Sequence, residues 1–183
     1  LVSDPARLPD PAPLLARAPR GAALLWRPYD LSPAEARARG RRLRRLTRNK
    51  GMTFLVAGNL RLAIAVDADG LHLPESLARR GVLTPALAWR RGSRLLTVAC
   101  HGVHALARAR VMRADAALLS PAFPTASHPG APALGPCRFA SLAAIAACPV
   151  IALGGLTPAT ARRLPAGTAV GLAAVGAWAA GKV

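Results

Sequence analysis

Short apolar runs without polar alternation recur along this chain, each followed by a stretch rich in Ala, Arg and Leu. Such runs occupy 22–26, 52–56, 70–73, 95–99, 116–119, 149–153 and 169–173. A strand that does not alternate is buried on both faces, which is the situation inside a parallel sheet covered by helices. The intervening stretches carry helix signals. Ser32-Pro33-Ala34-Glu35 supplies an N-cap serine and a proline at the first helical position. Short helices are predicted over 60–66, up to Met112 with Val103, Leu106, Ala107 and Val111 on one face, over 137–147, and from Thr157-Pro158 to Leu164. A last helical stub carries Trp178. Residues 1–3 read as a trimmed first strand, which brings the count to eight strand–helix units. Even spacing without a linker predicts one α/β domain over 1–183, a compact single (β/α)8 TIM barrel rather than an open doubly wound sheet.

In such a barrel the residues just after each strand line the mouth where chemistry is done. Here they are Arg27, Gly58, His72-Leu73-Pro74, Cys100-His101, Ser120 to Thr125, Gly154-Gly155 and Val175-Gly176. Gly154-Gly155, placed between a strand and the Thr157-Pro158 helix start, offers backbone N–H groups to a phosphate. Gly176 after the last strand would supply the other half of a barrel phosphate site. Either glycine taken alone is equally well a turn residue.

Composition narrows the ligand. The formal net charge is +17, nearly all of it from arginine. Basic residues cluster in Arg37-Ala38-Arg39-Gly40-Arg41-Arg42-Leu43-Arg44-Arg45, but Leu43 and Leu46 make that run amphipathic, an ordinary solvated helix face. Three Phe and one Tyr leave little material for stacking bases. The charge is therefore read as drawing anionic small substrates, and nucleic acid is not the expected partner. Cys100, Cys137 and Cys148 are odd in number and lack CxxC spacing, so neither a disulfide framework nor a zinc site is expected, and all three read as buried thiols. No apolar stretch reaches membrane-spanning length; 142–156 is broken by Pro149, Gly154 and Gly155. The first residues lack a signal-peptide pattern, so a cytoplasmic location is expected.

The stretches ADAALLSPAFPT (114–125) and PVIALGGL (149–156) resemble motifs of the thiamine-phosphate synthase and thiazole tautomerase superfamily, there roughly GADYIGxGPxFPTxTK and PVVAIGGI. LWRPYDL (25–31) is similar to that family's QLREKDL, ADGLHL (68–73) to its ADGVHLG, and LVSD (1–4) to its LVTD. The matches keep the family's order across nearly the whole chain. The resemblance implies a barrel that binds a phosphorylated thiazole. In the synthases, an aminopyrimidine pyrophosphate is joined to the thiazole phosphate, and a metal held by carboxylates neutralises the departing pyrophosphate.

The departures bear on which activity is present. The Asn-Asp pair after the third strand is Ala57-Gly58 here, and the second metal aspartate is Leu77. Leu25 and Tyr29 replace the glutamine and lysine flanking Arg27, Ala99 replaces a serine, and Ser127 and His128 replace the Thr-Lys of the TxTK loop. The tautomerase branch dispenses with the metal and resembles this chain at Gly58, Leu73-Pro74 and His101. There a histidine after the fifth strand moves a proton on the thiazole ring, a role suited to imidazole near neutral pH.

The expected activity is thus tautomerase-like acid–base isomerisation, with a diverged synthase and an inactive thiazole-phosphate-binding paralogue as alternatives. His101 is the candidate catalyst, or else a structural histidine of the loop. Arg27 is the candidate anion ligand, or else one more solvated arginine. Thr125, Ser127, His128, Gly154, Gly155, Val175 and Gly176 are candidate substrate and phosphate contacts. His72, Trp26 and Trp178 read as packing residues, His104 as solvent-facing, and Asp30, Asp69 and Asp115 as turn-closing groups. No cofactor is expected, Mg2+ entering only under the synthase alternative; Glu75 has little weight as a ligand for it. The partner is a small phosphorylated thiazole, no membrane is involved, and homo-oligomerisation stays open.

Overall fold

The computed structural model describes residues 1–79, 88–89, 93–125, 130 and 132–175. Seven parallel strands form one sheet in chain order: β1 (Ala23–Trp26), β2 (Thr53–Ala57), β3 (Gly70–Leu73), β4 (Leu95–Cys100), β5 (Ala116–Leu119), β6 (Val150–Leu153) and β7 (Gly171–Ala173). Every strand pairs with the next in sequence, for example Trp26 with Val56, Leu73 with Val98 and Cys100 with Leu119, so all strand ends face one side. β3 and β5 are buried at every position, as their unalternated sequences require. Where the eighth strand was expected, residues 1–3 carry one isolated parallel bridge, Val2 to Leu25, and no strand. Leu25 N–H donates to Leu1 O at 2.8 Å, Ser3 N–H to Leu25 O at 2.9 Å, and Val2 N–H to Ala174 O at 3.0 Å.

The described helices are α1 (Ala12–Leu15), α2 (Pro33–Lys50), α3 (Leu60–Ala65), α4 (Glu75–Arg79), α5 (Val103–Val111), α6 (Gly135–Ala144) and α7 (Pro158–Ala161). α2 opens with a reciprocal cap: Glu35 N–H donates to Ser32 Oγ, and Ser32 N–H to the Glu35 carboxylate. At its centre Gly40 is buried, and a Cβ there would stand 2.9 Å from the Trp26 ring and 2.8 Å from Val66, so a bare backbone lets the helix lie against the sheet. Trp26 in turn stacks on Phe54, ring centroids 6.0 Å apart, as a packing residue. α7 is capped by Thr157 as expected but ends at Ala161.

At the end of the sheet away from the mouth, aspartates tie neighbouring strands. Asp69 accepts from Phe54 N–H at 2.8 Å and from Arg44 at 2.7 Å, while Asp115 accepts from Leu96 N–H at 2.7 Å. These carboxylates are structural, and the Arg44 of the basic run belongs to that structure.

Two expectations are corrected. On α5 the buried residues are Ala105, Leu106 and Ala109, whereas Val103 and Val111 are 54% and 77% exposed. The small alanines allow close approach to the sheet, and that outweighs the bulk of the valines. Of the thiols, Cys100 is buried, Cys148 half-buried and Cys137 exposed, because Cys137 lies in the first turn of α6 on its solvent side. Burial pushes the Cys100 thiol up to about 12, so it stays protonated. No helix among the described residues is long and apolar enough to cross a membrane.

Candidate active site

The strand ends open into a cavity of about 800 Å³. Arg27, His101, Thr125, Gly154, Gly155 and Val175 all line it, so the strand-end residues singled out from sequence do converge. Ser127, His128, Gly176 and Trp178 lie outside the described residues. Ser120, also among the strand-end residues, lines it too, and two lining groups were not anticipated: Arg7 and Arg138. Arg7 comes from the segment before α1 and Arg138 from the first turn of α6, so neither follows a strand, and a strand-end rule has no means of finding them.

The β5–β6 side is built from backbone. After β5 the chain folds across the end of β6: Ala122 N–H donates to Leu153 O at 2.8 Å and Phe123 N–H to Gly154 O at 3.1 Å. Gly155 has φ +62°, a left-handed conformation, and a Cβ on it would lie 2.7 Å from the Phe123 carbonyl oxygen and press on that of Pro124. Only glycine satisfies both the backbone angle and the close approach. Among the described residues the amides of Gly154 and Gly155 donate to no backbone oxygen. Donors of this kind suit a phosphate.

His101 sits at the end of β4. Its Nδ1 lies 2.7 Å from Ser120 O, and since a carbonyl only accepts, Nδ1 carries a proton and Nε2 is the nitrogen turned away from that bond. Nε2 is 3.8 Å from Glu75 Oε2. Glu75 is held in turn by Arg79 at 2.7 Å and Arg108 at 2.9 Å, both on Oε1. A general base with its tautomer fixed on the far nitrogen is chemically competent for moving a proton.

His72, on β3, lines the cavity but is 2% exposed and hydrogen-bonded through Nδ1 to Thr97 Oγ1 at 2.9 Å. Burial, with the neighbouring Arg27 charge adding to it, lowers its pKa to about 3, so it is neutral at physiological pH. Arg27 N–H donates to Ser3 Oγ at 2.7 Å, which anchors its backbone at the strand end. Its guanidinium forms no ion pair among the described residues, and neither does that of Arg138. His104 is exposed on α5, as read from sequence.

The metal implied by the synthase resemblance does not fit this mouth. A Cβ at Gly58 would stand 3.5 Å from Leu77 Cδ1, 3.6 Å from Tyr29 Cε1 and 3.7 Å from Pro74 Cγ. The two positions that match the family's metal aspartates are therefore neighbours in space, but carbon atoms meet there. All eight acidic residues of the sequence are described, and of these only Glu75 lines the cavity. One carboxylate already bound to two arginines is a poor donor set for Mg2+, which wants free hard oxygens.

The family model described as thiamine monophosphate synthase matches residues 12–178. A thiamine-phosphate synthase of Alcanivorax borkumensis is 35% identical over 185 residues, covering 95% of this chain and 81% of that protein. One from Geobacillus kaustophilus is 33% identical over 156 residues, covering 83% and 68%. Among solved structures, a thiamine phosphate pyrophosphorylase from Pyrococcus furiosus superposes with a TM-score of 0.77 at 24% identity, covering 95% of this chain and 82% of that one, which supports the fold. With seven parallel strands in chain order, a mouth at their ends and a match running from α1 past β7, this chain belongs to the thiamine monophosphate synthase family.

Proposed function

We propose that this chain works in thiamine phosphate formation as a synthase-type transferase, joining an aminopyrimidine pyrophosphate to a thiazole phosphate. The observation that carries this reading is the charge of the mouth: Arg7, Arg27 and Arg138 face a cavity whose one carboxylate is already paired. Such a mouth favours ligands bearing several negative charges, and about 800 Å³ is room for two small substrates side by side. The relatives at 33% and 35% identity carry the synthase name, which favours this reading over the isomerase expected from the sequence.

In this reading the thiazole phosphate lies on the β5–β6 side, against the Gly154 and Gly155 amides and Thr125, with Ser127, His128, Val175 and Gly176 assigned to the same group. Arg27 holds the pyrophosphate. The thiazole nitrogen forms the new C–N bond with its lone pair, and the pyrophosphate departs with the electrons of the broken C–O bond. Leu1–Ser3 completes the wall as an eighth strand, supported by the bonds of Val2 to Ala174 and of Leu25 to its neighbours on either side. The closed (β/α)8 barrel is part of the same proposal.

Isomerisation of a thiazole carboxylate phosphate is the second reading, and the fixed tautomer of His101 is what favours it. One experiment separates the two. Purified protein is given both coupling substrates and, separately, the non-aromatic thiazole carboxylate phosphate, with wild type and His101→Gln compared. Thiamine phosphate formation that survives His101→Gln supports the transferase. Proton relocation that requires His101, with no coupling, supports the isomerase. Saturable binding of thiazole phosphate with neither reaction identifies an inactive binding paralogue and sinks both readings.

A further inference from the structure

The misfit between this mouth and a divalent cation has a positive side. An anion of two or more charges entering the cavity must be neutralised by something, and the groups available are guanidinium ions. Arg27 stands at the end of β1 with its backbone anchored on Ser3, and Arg138 at the start of α6; neither forms an ion pair among the described residues. Arg7 adds a third charge, tied at 2.9 Å to Asp4, whose carboxyl it holds below the usual range. Guanidinium matches the oxygens of a phosphate two at a time and keeps its charge at any physiological pH.

A dication is disfavoured by the same inventory. Glu75 Oε1 accepts from both Arg79 and Arg108, which leaves a metal the single oxygen Oε2, beside two guanidinium charges and 3.8 Å from His101 Nε2. Between Gly58 and Leu77 it would meet Leu77, Tyr29 and Pro74 carbons. Of the other carboxylates, Asp67 and Asp69 pair with Arg44, Asp10 with Arg42, Glu35 closes the α2 cap and Asp115 accepts from Leu96 N–H, while Asp30 does not line the cavity.

We infer that Arg27 and Arg138, with Arg7 at the rim, form a metal-independent site for pyrophosphate and phosphate-ester groups, doing by guanidinium what a carboxylate-held metal would otherwise do. This rests on the proposal that the substrates are phosphate-bearing, and adds to it that their recognition requires no divalent cation.

The test is titration calorimetry of inorganic pyrophosphate into the whole chain, once in chelator and once in millimolar Mg2+. The expected result is saturable binding in chelator that Mg2+ fails to strengthen. Arg27→Met and Arg138→Met should each weaken it by about tenfold or more, the size of one lost charge-assisted contact. Arg45→Met, on the exposed outer side of α2, should leave it unchanged and so separate the site from the general attraction of a basic protein. Thermal melts of each variant verify folding, and Arg27→Lys, keeping the charge but not the fork, should fall between wild type and Arg27→Met. Binding that tightens by more than about tenfold with Mg2+ overturns the inference while leaving the proposed function intact. Equal weakening by Arg45→Met also overturns it. Absence of saturable binding in both buffers overturns the inference and the phosphate-handling reading together.

Discussion

The two sides of the mouth are built differently. On the β5–β6 side the groups facing the cavity are largely backbone: Gly154, Gly155 and the turn from Ser120 to Thr125, locked to one another by main-chain bonds. On the β1–β3 side, carbon stands at Tyr29, Gly58 and Leu77 where the family resemblance calls for charge, with Pro74 beside them. Arg27 and the paired Glu75 are the ionic groups that line the cavity there. The first side therefore depends on backbone conformation and the second on side-chain identity, so the second can change while the first stays fixed.

The comparison is broken most severely at Gly155. Gly155→Ala forces a Cβ against two carbonyls at a left-handed backbone, and should cost about 3 kcal/mol of stability and abolish measurable thiazole phosphate binding. Chemical denaturation and calorimetry check both. If binding survives, the β5–β6 backbone is not where phosphate sits.

The β1–β3 side should answer to acid. His72 is neutral in the folded protein, with its pKa lowered to about 3, but takes up a proton near 6.5 when unfolded. The unfolded state then binds more protons between these values, so stability is full above about pH 6.5 and falls as the pH drops toward 3. The loss should reach about 2 kcal/mol by pH 5 in urea melts, and His72→Gln should flatten the dependence.

The smallest expected effect is also the sharpest. Leu77→Asp should change stability by about 1 kcal/mol or less, since the side chain is only half-buried. It places a carboxylate beside Gly58, so Mg2+ should begin to strengthen pyrophosphate binding where it has no such effect on wild type. An unaltered response to Mg2+ would mean that the carbon-lined corner is not what sets the metal behaviour.

Much of this was legible in the sequence because buried parallel strands leave unbroken apolar runs. All seven strands fall within two residues of the expected bounds. Periodicity misread α5 because it weighs Val103 and Val111 by bulk, whereas docking favoured Ala105 and Ala109. The strand-end rule found Arg27, His101, Thr125 and the glycine pair, but had no access to Arg7 or Arg138, which reach the cavity from a loop and a helix start. Nor could it show that Glu75, given little weight as a metal ligand, pairs with Arg79 and Arg108.

The interlock of the β5 and β6 loops has one more consequence. Ala122 and Phe123 hydrogen-bond to Leu153 and Gly154, Leu134 and Gly135 return to Pro121 and Ala122, and Gly155 lies against Phe123 and Pro124. Gly154 and Gly155 in that knot cannot take a side chain without pressing on the backbone of Pro121, Phe123 and Pro124, so substitution at either is costly. In the opposite corner Gly58 carries its own conformational requirement at φ +70°, but the half-buried Leu77 can be exchanged at little cost. Under the proposed function, new reaction types on this scaffold should therefore arise by changing side chains such as Leu77, with the backbone around Gly154 and Gly155 inherited unchanged.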